Sequence, residues 1–265
     1  MGSASREATV ASRAALAGVG AKVDLTLAEQ LFAAGRTIGG SLQLRTLLAE
    51  PAGDAAAKKA AIAAVFGSSL SATAVSLLET VTASRWSSVD DLLAGVEDLG
   101  LRAAAQSSNS SAVVIGELFA FGQTVTSNPE LELAIGSKLG DPASKAALVD
   151  ALVAGKVSGQ SAAIIRHLVQ QPRGRRIGRL VSDAAATVAD QAGQVIATVT
   201  SAATLSAAQR TKLQKGLSAR YGKPVTLNEL IDPALVGGVR IAIGDDIIDG
   251  SIATKLAELR LQLAG

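Results

Sequence analysis

Apolar side chains recur at three- and four-residue spacing up to about Gln191, and only beyond it does strict alternation appear. The pattern predicts a long helical region followed by a mixed one. Val75, Leu78 and Val81 mark one face of a helix after Ser71, and Ile165 and Leu168 take the corresponding places after Ser158. Asp54, Ser71, Asp141 and Ser158 each stand as an N-cap before an apolar or alanine-rich run, and Asn128-Pro129 and Asp141-Pro142 set a cap before a first-turn proline. Thr26 and Glu29 have capping-box spacing ahead of Leu27 to Gly35. Past Gln191 the composition turns to Val, Ile, Thr and Ser. There Val239, Ile241 and Ile243 alternate with Arg240 and Ala242, which predicts a strand with its branched side chains on one face. Gly237 and Gly238 permit a bulge or close approach before it, Gly244, Asp245 and Asp246 supply a turn, and Ile247 and Ile248 start a return strand. Asp249 or Ser251 then caps a final helix whose stripe is Ile252, Leu256, Leu259 and Leu263.

The helical region repeats itself. An offset of 87 residues places Leu31-Phe32-Ala33 on Leu118-Phe119-Ala120 and aligns Gly35 with Gly122, Leu44 with Leu131, Lys58 with Lys145 and Leu93 with Leu180. The caps repeat with it, Asp54 with Asp141 and Ser71 with Ser158, which chance alanine matches would not produce. The predicted architecture is therefore mostly α: a small bundle of short helices over residues 1–106, a second copy over 107–192, and an α/β domain over 193–265 with a short β-sheet and two helices. Arg13-Ala14-Ala15-Leu16 opens the first copy and Arg102-Ala103-Ala104-Ala105 lies at its end, so one helix near Ser88 to Ala105 closes the first bundle and opens the second.

The run from Val195, then Asp232-Pro233, Gly237-Gly238 and Asp249-Gly250-Ser251, resembles the C-terminal signature of the delta subunit of bacterial F-type ATP synthases, the family of the mitochondrial oligomycin-sensitivity-conferring protein. In that family a strand and long helix lead to an aspartate-proline pair, an apolar-Gly-Gly-apolar strand and an Asp-Gly-Ser turn before the last helix. The family has one six-helix bundle; a doubled bundle is a feature of actinobacterial relatives, and the alanine-rich, lysine-poor composition agrees with a GC-rich genome. The resemblance assigns Asp232, Pro233, Gly237, Gly238, Asp249, Gly250 and Ser251 to the geometry of the C-terminal domain rather than to ligand contact.

Composition narrows the function classes. With 265 residues and 48% hydrophobic content the chain can bury a real core. A formal charge of +2 leaves bulk electrostatics naming no partner. No run of about 20 apolar residues could cross a bilayer, and Arg6, Glu7 and Arg13 interrupt the N-terminal apolar stretch, so no signal-peptide core is expected and a cytoplasmic address is inferred. The absence of cysteine removes disulfides and thiolate chemistry.

No motif for chemistry survives. His167 is the single histidine, set in IIRHLVQQ without a defining partner pattern, and reads as a helix-surface residue whose loss should be tolerated. No glycine run fits a phosphate loop or a strand-linked GxGxxG. Adjacent Asp245 and Asp246 read as solvated turn residues rather than a metal pair. The cluster Arg166, Arg173, Arg175, Arg176 and Arg179 is the best argument for nucleic acid, but Phe32, Phe66, Phe119, Phe121, Trp86 and Tyr221 are too scattered for a stacking platform. A generic helical-repeat adaptor is the other alternative, and it leaves the C-terminal signature unexplained.

The resemblance implies a non-catalytic stator subunit without cofactor, peripheral on the cytoplasmic face of the cell membrane and attached only through its complex. In the family a groove between the bundle's first and fifth helices receives an N-terminal helix of an alpha subunit, and the C-terminal domain joins the peripheral-stalk b subunit. Carried onto this chain, that groove falls near Ala103, Ile165 and Leu168 in the second copy, or near Val10, Ala14, Ala17, Val75, Leu78 and Val81 in the first. Direct connection to the C-terminal domain tips the expectation toward the second copy.

Overall fold

The computed structural model describes residues 2–50, 53–137, 140–235 and 237–250. The chain is mostly helical, with a small mixed sheet toward its C-terminus, and divides into two compact units, residues 1–188 and 189–265. The helices are α1 (Ser3–Val19), α2 (Leu25–Gly40), α3 (Leu42–Ala49), α4 (Ala55–Phe66), α5 (Ala72–Ala83), α6 (Val89–Gln106), α7 (Ser111–Thr126), α8 (Pro129–Gly136), α9 (Pro142–Val153), α10 (Gly159–Gln170) and α11 (Ile177–Gln191). β1 (Val195–Ser201), α12 (Ala207–Tyr221), β2 (Val225–Ile231), β3 (Val239–Ile243) and β4 (Asp246–Asp249) follow. None of the described helices is long and apolar enough to cross a membrane.

Caps set these boundaries as the sequence indicates: the side chains of Asp54, Ser71, Asn128, Asp141 and Ser158 each accept a backbone N–H of the turn that they open. The capping box at Thr26 and Glu29 does not form. Helix α2 starts two residues earlier, with Asp24 accepting from the Leu27 N–H, because aspartate is the stronger cap and threonine is then simply a first-turn residue.

The helices recur in register: α8, α9 and α10 begin at 129, 142 and 159, each 87 residues after α3, α4 and α5 at 42, 55 and 72. Tertiary bonds recur at the same offset. Gln30 Oε1 accepts from the Ser71 hydroxyl at 2.7 Å, and Glu117 Oε2 accepts from the Ser158 hydroxyl at 2.6 Å. Lys58 Nζ donates to the Glu50 carbonyl, as Lys145 Nζ does to that of Ser137.

Helix α6 is buried on nearly every face, including Leu92, Val96, Leu99, Leu101, Ala103 and Ala104, as expected of a helix with neighbours all round. Helix α2 lies against both α6 and α10. An added Cβ at Gly100 of α6 would come within 2.5 Å of the Phe32 ring, and that ring stacks on His167 of α10 with centroids 4.3 Å apart. Leu25 meets Gly159 and the Gly35 carbonyl accepts from Gln171, so α2 runs parallel to α10; Gly35 meets Val96 and Gly39 meets Leu93, so it runs antiparallel to α6.

In the second unit the sheet order is β2-β1-β3-β4, with β1 parallel to β2 and antiparallel to β3, and β3 antiparallel to β4. The parallel pair needs a crossover, and α12 provides it. Ser206 and Gln209 open α12 with a capping box, and Gly222 at φ 67° closes it. Ala197, Val199, Leu217, Val225, Ile241 and Ile243 form the core. The hairpin from Val239 onward forms as the alternation predicts: Ile241 faces Ile248, and Gly244 turns the chain at φ 57°. The final helix expected from Ser251, with Ile252, Leu256, Leu259 and Leu263, lies outside the described residues.

Candidate helix-binding groove and buried ion cluster

Helix α1 is amphipathic: Ser5, Ala8, Ser12 and Leu16 are buried, while Val10 is 68% exposed and Ala14 and Ala17 are also exposed. It is fastened to α6 by the Ser5 hydroxyl, which donates to Asp91 at 2.7 Å, and by Arg13, paired with Asp98 at 2.8 Å. Between α1 and α5 runs an open groove. Ala15, Gly18 and Val19 form one wall, and Thr73, Ser76, Leu77 and Thr80 the other. A side chain added at Gly18 would meet nothing within 4 Å. Small side chains on two neighbouring helices leave room for a third helix to approach closely.

The groove differs from the sequence expectation in one consistent way. Ala103 and Ile165 are fully buried and Leu168 is 1% exposed, so these three are core residues and line no open surface. In the first set, Leu78 and Val81 are fully buried, Val75 is half-buried, and Val10, Ala14 and Ala17 lie on the opposite face of α1. An apolar stripe marks the side of a helix that faces its own core. The groove lies on the flank of that stripe, where Thr73, Ser76 and Thr80 recur at helical spacing with small hydroxyl side chains.

His167 is not a surface residue. It is 1% exposed, stacked on Phe32, with Nε2 3.4 Å from Glu97 Oε2. The pattern of α10 alone could not reveal this, because the covering helix comes from elsewhere in the chain. Glu97 also receives Arg173 at 2.7 Å and Arg175 at 2.9 Å. Burial pushes the Glu97 carboxyl up, but the His167 hydrogen bond and the charges of Arg173, His167 and Arg175 outweigh it and hold it down at about 2. Burial pushes His167 below its usual range, against the pull of Glu97, and Arg36 and Arg173 push the same way as burial. Arg173 adopts φ 47°, a strained conformation for a side-chain-bearing residue, held by its ion pair and followed by Gly174 at φ 76°.

These contacts also use most of the basic cluster that suggested nucleic acid. Arg166 pairs with Asp150 at 2.9 Å and Arg179 with Asp183 at 2.8 Å, while Arg173 and Arg175 hold Glu97. Arginines committed to internal carboxylates offer little net charge to phosphates. Among the described residues, no group of three or more His, Cys, Asp or Glu is placed to hold a metal ion. Asp245 is an exposed turn residue, and Asp246, also exposed, opens β4 and accepts from the Tyr221 hydroxyl at 3.3 Å.

In the second unit, the Asp232 N–H donates to the Ser201 carbonyl at the end of β1, and its side chain accepts from the Ala234 N–H across Pro233. Gly237 and Gly238 sit at φ 129° and 79°, which a side chain adopts only under strain. Asp249 ends β4, and the Gly250 N–H donates to the Val239 carbonyl at 2.9 Å, where an added Cβ would come within 3.2 Å of that oxygen. Ser251 lies outside the described residues. An apolar groove between α12 and the sheet is lined by Leu205, Leu213, Leu217, Val239, Ile241 and Ile248.

The family model for the ATP synthase delta (OSCP) subunit matches residues 99–263. The ATP synthase subunit delta of Leifsonia xyli subsp. xyli is 51% identical over 265 residues, covering all of both chains. That of Streptomyces avermitilis is 35% identical over 267 residues, covering 98% of each, and that of Pseudarthrobacter chlorophenolicus is 34% identical over 276 residues, covering all of both. A chain of the Toxoplasma gondii mitochondrial ATP synthase hexamer matches 63% of this chain and 95% of its own length at 18% identity and a TM-score of 0.41, too slight a likeness to bear on the argument. Signature, sheet and full-length relatives agree: the chain belongs to the ATP synthase delta (OSCP) subunit family, the non-catalytic stator subunits that link the F1 head to the peripheral stalk.

Proposed function

We propose that this chain ties an N-terminal helix of an ATP synthase alpha subunit, received between α1 and α5, to a peripheral-stalk b subunit held by the C-terminal domain. The open groove is the observation that carries this reading: two fastened helices present small side chains along a trough, in the position where the family receives its partner helix. The work is mechanical. A rotating shaft drags the head with it unless the head is tied to the membrane-bound stator, so the subunit needs a stiff, extended contact and no reactive group. Attachment to the membrane is then indirect, at its cytoplasmic face.

The helical part reads as two bundles, residues 1–106 and 107–192, that share α6, followed by the domain 193–265. Support comes from helix starts and tertiary bonds repeating at 87 residues, and from burial of α6 on both sides. The family match beginning at residue 99, inside α6, favours the second bundle as the counterpart of the family's single one. The open groove favours the first as the place where a helix is received.

Calorimetric titration of the full chain with a synthetic peptide of the alpha-subunit N-terminus tests the reading. The wild type is expected to bind, and Gly18→Trp, which has open space for its Cβ and projects its ring into the trough, to bind at least tenfold more weakly. A wild type that ignores the peptide, or a Gly18→Trp chain that binds it equally well, contradicts the assignment.

A further inference from the structure

The two grooves of the repeat are not equivalent. Ala15, Ala72, Ser76 and Thr80 line the open groove; α6 follows α1 at the spacing that sets Arg102 on Arg13 and α10 follows α5 at 87 residues, so Ala104, Gly159, Ala163 and His167 occupy the matching positions between α6 and α10. There Ala104 is 0% exposed, Ala163 4% and His167 1%, where α2 packs against both helices. Its Leu25 meets Gly159, and its Phe32 is wedged between Gly100 of α6 and His167 of α10. At its far end the Gly35 carbonyl accepts from Gln171 at 3.1 Å. An aromatic anchor between two helices, small residues at the closest approach and a polar contact at the end are the features of a helix seated in a receiving groove.

We propose that the groove between α6 and α10 is a second helix-receiving groove which the chain fills with its own α2, so that each chain offers a single open groove to an external amphipathic helix. The external helix rests on the function proposed above; the filling of the second groove does not. The occupancy is permanent. Leu27, Ala28, Leu31, Ala34 and Ile38 of α2 are themselves core residues, so an incoming helix could displace α2 only by unfolding the helices around it. The duplication therefore adds length and stiffness to the subunit without adding a second attachment point.

The chain has no native cysteine, so single thiols report each groove in the full-length protein. Ser76→Cys is expected to react with a maleimide at a rate near that of an exposed thiol, and the alpha-subunit N-terminal peptide to slow it tenfold or more. Ala163→Cys, at the matching position, should stay at least a hundredfold slower in the folded chain with or without peptide. The pair Ala15→Cys and Ala104→Cys repeats the comparison should sulfur at 163 disturb folding. Native mass spectrometry should find one peptide per chain, and none on Gly18→Trp. Two peptides per chain, or thiols at 163 and 104 that react as fast as those at 76 and 15, overturn the proposal. If no peptide binds, the head-contact reading fails alone, since the slow thiols at 163 and 104 still establish self-filling.

Discussion

Glu97 sits where three cationic or polar partners converge, and its ionisation is part of what keeps the α6 and α10 region closed. Its carboxyl is held at about 2 in the fold against an ordinary 4.5, so its contribution is complete above pH 4.5 and is lost as pH falls toward 2. That shift corresponds to about 3 kcal/mol. His167 is displaced downward, so the unfolded chain takes up this proton at a higher pH than the fold does, and stability also declines as pH falls below about 6.5. Urea midpoints of the helical unit should accordingly fall in two stages, beginning near pH 6.5 and steepening below 4.5, with Glu97→Gln making the second stage smaller while Glu117 and Asp141, also held down, keep the rest. A midpoint flat from pH 7 to 4 would contradict the assignment. His167→Ala removes the ring stacked on Phe32 and is expected to cost roughly 2–4 kcal/mol, contrary to the tolerance that its sequence context suggests. Gly238→Val must bear a side chain at φ 79° and is expected to cost about 1–3 kcal/mol, weakening b-subunit attachment through misfolding. Unchanged thermal stability combined with lost attachment would instead make Gly238 a contact residue.

Helices were the most legible elements because their starts are local: Asp54, Ser71, Asn128, Asp141 and Ser158 announce themselves in four or five residues. The hairpin at Val239 was legible for the same reason, through alternation and a turn glycine. Strand β2 escaped notice. Its alternation is short and broken by Glu229, and it is defined by parallel pairing with β1 across a helix, which no local pattern encodes. The open trough between α1 and α5 lies beside the residues that the sequence nominates, since an apolar stripe reports the core and the flank beside it carries mainly small residues. The packing of α2 depends on glycine at 100, where the Phe32 ring would lie 2.5 Å from a new Cβ. Gly100→Leu should therefore cost about 1–3 kcal/mol or more by overpacking, measured as a lowered urea midpoint. Phe32→Ala should be similarly destabilising through a cavity, by roughly 3–5 kcal/mol. Wild-type stability in either variant would show that α2 is not wedged at this point.

At the scale of the whole chain, the 87-residue offset was visible in sequence because caps, lysines and core leucines repeat together. What the repeat could not convey is that one copy covers the groove of the other, since that contact joins α2 to α10 across a long stretch of chain. A shortened chain beginning at Ser88 would resemble a conventional single-bundle subunit in length, yet it would uncover Phe32's seat between α6 and α10. It is expected to bind an apolar dye and melt at lower temperature than the full chain; a fully stable, dye-silent fragment would mean that α2 contributes little there.

The linkage itself is tested most directly by native mass spectrometry on a mixture of F1 heads stripped of this subunit, the full chain and the soluble part of the b subunit. The account predicts a ternary assembly that forms only when the chain is present, with one copy per head, and that loses the head but keeps b when Gly18→Trp replaces the wild type. Heads and b that associate equally well without the chain, or a Gly18→Trp chain that still bridges them, would contradict it.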